Sequence, residues 1–135
     1  MKKRKIVIIL LLTLTLAVGT WAAYTFIPKS IDKQVTLKCR YMAYACGDCY
    51  PQYRVDEVII PSSGNLQEDM LKKEISVFYK AKELENHISK ETSKCIICYD
   101  FYFSGELKQS ASKGYFLEVD SAKIELRPNC CSEKD

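Results

Sequence analysis

The residues on which most catalytic sites depend are scarce in this chain. It has one histidine, five glycines, four prolines and one tryptophan in 135 residues. A histidine-dependent dyad or triad would have to pass through His87, which lies in the polar run Glu85-Asn86-His87 and reads as a surface residue. The acidic pairs Asp56-Glu57 and Glu68-Asp69 are adjacent in sequence, and neighbouring residues on a strand point to opposite faces, which does not suit paired acid/base work. A phosphate loop, a nucleophile elbow and a dinucleotide fingerprint are also missing. The composition therefore predicts a protein that is not an enzyme and carries no cofactor.

A cationic excess is absent as well once the charge is divided along the chain. The formal +3 includes four basic residues at the N-terminus, and the remainder holds 16 Lys and Arg against 17 Asp and Glu, a balance of about −1. Phosphate backbones are bound by clustered positive charge, so no nucleic-acid partner is expected.

What the chain does have is one long apolar run. After Lys2-Lys3-Arg4-Lys5 comes an uncharged stretch of 22 residues, Ile6 to Ile27. At about 1.5 Å per helical residue, such a run reaches roughly across a 30 Å hydrocarbon core. It is either a cleaved secretory signal or an uncleaved anchor. The best small-x-small site, Thr20-Trp21-Ala22, has a bulky centre, and the apolar run continues past it to Pro28 with Trp21 and Tyr24 suited to the outer lipid boundary. Residues 1–28 are accordingly read as a signal anchor, with secretion as the outcome if the leader is cleaved. The basic N-terminus keeps that end in the cytoplasm and places the rest outside, in the periplasm or at the cell surface of a bacterial envelope.

Cysteine is the other abundance. All seven, Cys39, Cys46, Cys49, Cys95, Cys98, Cys130 and Cys131, follow the leader, and a small domain this rich in thiols outside the cytoplasm is expected to be stapled. The odd count leaves at least one thiol over. Cys39 is the candidate, because it shares a parity with Val35, Leu37 and Tyr41 in an alternating strand from Val35 to Ala45.

Residues 29–34, KSIDKQ, read as a linker, and 128–135 as a cysteine-containing tail. Between them lies the domain, 35–127. A turn at Cys46 to Pro51 leads into a second strand, Gln52 to Ile60, whose apolar parity switches near Asp56-Glu57 and predicts a bulge. After PSSGN, the β-branched and aromatic run Ile75 to Tyr79 predicts a strand over Glu74 to Lys80. A short helix over Ala81 to Ser89 then turns Leu84 and Ile88 inward. Ile97, Tyr99, Phe101, Phe103 and Leu107 form the inner parity of a fourth strand, with Cys98, Asp100 and Tyr102 facing out. Past the loop QSASKG, a fifth strand carries Tyr115, Leu117 and Val119, then Ala122, Ile124 and Leu126 after a second parity switch at Asp120-Ser121. The fold class is thus mainly β with a short helix, in the order β-β-β-α-β-β.

That order resembles the oligonucleotide/oligosaccharide-binding fold, the OB-fold. FYKAKELENHI followed by CYDFYFSGELKQSASKGYFLEVDSAKIEL, within Val35 to Leu126, carries the resemblance. It implies a five-stranded barrel behind the N-terminal helix with sheet order 1-2-3-5-4-1, which brings the end of strand one, the start of strand four and the end of strand five to one pole. Those ends carry Cys46 and Cys49, Cys95 and Cys98, and Cys130 and Cys131. Disulfides among these six are the favoured reading. The two Cys-x-x-Cys pairs, Cys46/Cys49 with Cys95/Cys98, leave open a structural zinc site or an exported thiol-redox protein. Tyr44, Tyr50, Arg40, Arg54 and Tyr102 form a candidate binding patch for an envelope protein or a glycan. The expected function is a non-catalytic, membrane-tethered interaction module.

Overall fold

A computed structural model describes residues 2–43, 52–60, 65–128 and 130. The apolar run forms helix α1, Lys2–Phe26, which is long and apolar enough to cross a membrane. Its leucines, isoleucines and valines face outward and pack against no other part of the described protein. The threonines inside it are satisfied locally: Thr13, Thr15, Thr20 and Thr25 donate their hydroxyls to carbonyls three or four residues earlier, at 2.9–3.1 Å. Such internal satisfaction is what a hydrocarbon surrounding demands of a polar side chain.

Five strands follow: β1 (Lys29–Tyr41), β2 (Tyr53–Ile60), β3 (Glu74–Tyr79), β4 (Tyr99–Ser110) and β5 (Gly114–Leu126). The helices α2 (Leu66–Met70) and α3 (Lys82–Glu91) flank β3, and a 3₁₀ turn, Ile96–Cys98, leads into β4. The neighbour order is β1-β2-β3-β5-β4, with β4 returning to pair antiparallel with β1 and β3 parallel to β5. The cylinder is not continuous. Only Tyr53↔Ile75 and Arg54↔Glu74 pair across β2 and β3. Beyond them the seam is made by the turn after α2: the Val55 N–H donates to the Lys73 carbonyl and Lys72 N–H to the Val55 carbonyl, both at 2.8 Å. Lys72 adopts φ 61° to make that approach.

The core follows from alternation. Val35, Leu37 and Cys39 of β1, Phe101, Phe103 and Leu107 of β4, and Leu117 and Val119 of β5 are fully buried. Both expected parity switches occur. Asp56 is skipped between the pairs Lys38↔Glu57 and Cys39↔Val55, and Asp120 between Ser104↔Ser121 and Gly105↔Val119. At the second, Gly105 packs so closely on β5 that an added Cβ would strike the Glu118 carbonyl. Cys39 is a buried free thiol, and burial raises its pKa well above the ordinary range.

Four expectations need correction. KSIDKQ is not a linker: it is the first half of β1, paired from Lys29↔Gln109 to Asp32↔Leu107, because the backbone of β4 takes partners from β1 over most of the span from Asp100 to Gln109. Two register shifts break its alternation, which hid it in the sequence. An extra helix, α2, seats Leu66 and Met70 in the core where only a chain break was expected. Cys98 faces inward at 1% exposure and Ile97 outward at 47%, the reverse of the alternating reading, since a 3₁₀ turn rotates side chains by about 120° per residue rather than 180°. Leu126, the last strand residue, is exposed rather than core. The turn Cys46–Pro51 and the residue Ala45 lie outside the described residues.

Candidate functional site

The functional candidates cluster at the end of the sheet farthest from α1. There the chain leaves β1, and the Met42 N–H donates to the Gln52 carbonyl at 2.8 Å as β2 begins. Arg40 pairs with Asp100, and Tyr99 with Leu126, so the end of β1, the start of β4 and the end of β5 share one rim. Past Leu126, the Arg127 N–H donates to the Cys98 carbonyl at 2.9 Å, and the chain continues to Cys130. Cys98 and Cys130 are placed for a disulfide with Cα atoms 5.4 Å apart. Cys95 Sγ lies 3.0 Å from Cys98 Sγ, so three cysteines meet at this rim. Cys46, Cys49 and Cys131, along with Tyr44 and Tyr50 of the proposed patch, lie outside the described residues, as does half of the four-thiolate zinc reading. Among the described residues no group of His, Cys, Asp and Glu is arranged to hold a metal.

Below this rim, on the outer face of β2, β1, β4 and β5, are the three remaining patch residues. Arg40 and Arg54 face each other across β1 and β2, and Tyr102 is next along on β4. The bulge at Asp56 turns its carboxylate toward Arg40 Nε, 2.6 Å away, with Arg54 Nε at 3.6 Å. Asp100 in turn receives Lys38 at 3.2 Å, Arg127 at 3.5 Å and Arg40 at 3.7 Å. The Asp100 carboxylate raises the Lys38 pKa above its ordinary value. Several of these charged atoms are sealed from solvent, and each is held by an opposite charge rather than left alone. Lys38 and Lys123 place their ammonium groups 5.7 and 5.8 Å from the Tyr102 ring centre. The face is therefore a lattice of compensated charge, not an open cationic patch. Asp56 and Asp100 were missed in the sequence because their role arises from cross-strand register and a bulge.

A third feature occupies the same pole. Between α3 and the sheet lies a cleft of about 350 Å³, with Tyr41, Tyr53, Tyr79 and Ile96 on the sheet side and Glu85, Ile88, Ser89 and Thr92 along α3. The spacing of 85, 88, 89 and 92 puts one helical face toward the cleft. Its floor is aromatic: the Tyr53 ring centre stands 5.5 Å from Tyr41, 5.3 Å from Phe101 and 5.1 Å from Phe103, all edge to face. Burial, and next to it the neighbouring Tyr79, push the Tyr53 phenol far up, so it stays protonated. His87 is exposed on α3 and does not line the cleft.

Comparison of the chain with protein-family models, with curated proteins and with solved structures returned no match.

Proposed function

We propose that this chain is a membrane-tethered, non-catalytic interaction module of the cell envelope, with α1 retained as an anchor and the sheet outside the cytoplasm. The observation that carries the reading is the junction. α1 ends at Phe26 and β1 starts at Lys29, so two residues separate an outward-facing apolar helix from the longest strands of the sheet. Thirteen strand residues at about 3.3 Å each then carry the sulfur rim roughly 40 Å from the anchor. An oxidised rim suits an oxidising compartment and a domain whose core is small. The strand order, the parallel β3–β5 pair and a helix between β3 and β4 support an OB-like reading of the fold.

The test is topological. In intact cells, a protease or bulky thiol reagent added outside should reach the sheet domain, while the chain stays with membranes after alkaline extraction. A domain reached only after lysis, or a chain released from the membrane, overturns the reading.

A second reading, an exported thiol-redox or zinc-binding protein using Cys46/Cys49 with Cys95/Cys98, draws on the 3.0 Å approach of the Cys95 and Cys98 sulfurs. Bound zinc in the purified chain, or a reversible dithiol couple, would select it.

A further inference from the structure

The geometry points to the cleft between α3 and the sheet as a binding site for a small organic cation, an alkylammonium or guanidinium group, held by Glu85 above the rings of Tyr41, Tyr53 and Tyr79. Its about 350 Å³ falls within the range of small-ligand sites, and its composition is selective. Among the described residues ten line it, and Glu85 is the only Asp, Glu, Lys or Arg of these. Among the described residues no cation pairs with Glu85, in contrast with the outer face, where Asp56 and Asp100 are each surrounded by Lys or Arg. The walls offer hydroxyl groups from Tyr41, Ser89 and Ser93, which can accept hydrogen bonds from N–H donors, while the Tyr53 and Tyr79 hydroxyls bond to each other. Thr92 is already engaged, donating to the Ile88 carbonyl at 2.8 Å. Aromatic rings beside one uncompensated carboxylate favour a cation over an anion, and favour a flat or compact nitrogen centre over a bulky one. The site is framed on rigid elements, since Tyr53 is locked edge to face against Phe101 and Phe103 and Ile88 is anchored in the core.

This deepens the interaction-module reading by naming a ligand class for it, and the two can fail separately, because the cleft stands on whichever side of the membrane the sheet lies. The experiment is titration calorimetry on the full chain in detergent micelles with three probes: N-acetyl-arginine amide, 1,5-diaminopentane and, as a neutral counterpart, N-acetylglucosamine. The site predicts saturable, salt-sensitive binding of at least one of the two cations and none of the sugar. Glu85→Gln, an exposed substitution that leaves the core intact, should weaken the cation by about tenfold, and Tyr79→Phe should weaken it less. No saturable binding of either cation, binding unchanged by Glu85→Gln, or a sugar bound as tightly as the cations would overturn the assignment.

Discussion

At the end of the sheet next to α1, β1 and β4 are joined by backbone pairs from Lys29↔Gln109 to Asp32↔Leu107, and the surface ion pair Lys108–Glu118 ties β4 to β5. At the opposite end the Cys98–Cys130 link ties the entry of β4 to the chain beyond β5, and a charge lattice around Asp56 and Asp100 covers the outer face. The near end relies on backbone pairing that passes through the two register shifts of β1. At the far end the strands run out at Tyr41 and Leu126, and a cross-link and side-chain ion pairs add to the backbone pairing there. The contrast teaches where binding is expected: a surface whose charges already satisfy each other has little to offer a partner, while a cleft with one uncompensated carboxylate does.

The largest effect should come from the aromatic floor beneath the cleft. Phe103 is fully buried against Tyr53, Phe101 and Tyr79, and Phe103→Ala should cost about 3–5 kcal/mol in denaturant unfolding. Next comes sulfur. Cys98 and Cys130 close a loop across a separation of 32 residues, so the double substitution Cys98→Ser, Cys130→Ser should lower stability by about 3 kcal/mol and raise hydrogen exchange at the far end first. Exchange that rises equally near α1 would erase the contrast between the ends.

Asp100→Asn removes the charge that gathers Lys38, Arg40 and Arg127, and should cost about 2 kcal/mol, less at high salt. The pH dependence has a definite sign. Buried Cys39 holds its proton more tightly folded than unfolded, so its contribution is complete below the ordinary thiol range and is lost as pH rises past about 8.5, at roughly 1.4 kcal/mol per unit. Cys39→Ala should flatten the alkaline limb of a stability-against-pH curve. The smallest effect belongs to the middle of the β1–β4 pair: Thr36→Val, which breaks only the bond to Ser104, should cost about 1 kcal/mol.

Much of the sheet was legible because alternation is a direct consequence of the strand pleat. Leu37 and Cys39, Phe101 and Phe103, and Leu117 and Val119 announce their strands, and the switches at Asp56 and Asp120 announce the bulges. The split of the segment after Leu66 into β3 and α3 rested on β-branched residues at Ile75 and Val77 and on the Leu84–Ile88 pair, and the structure has both elements. Helix α2 left too little trace, since five residues hold one i, i+4 apolar pair and no capping side chain. The far pole was readable as a meeting of cysteines, of which Cys95, Cys98 and Cys130 are together. The compensated charge of the outer face and the tyrosine cleft were not. Both depend on which residues become neighbours across strands and along α3, and local sequence carries no register between Tyr41, Tyr79 and Glu85.

The most direct test of the central claim is peptide mapping of the full chain, isolated from membranes and alkylated without reductant. A cross-linked Cys98–Cys130 peptide, with Cys39 alkylated only after denaturation, is the predicted result. Free, readily alkylated Cys98 and Cys130 in the native chain would contradict an oxidised far rim and, with it, the account of how this end of the sheet is held.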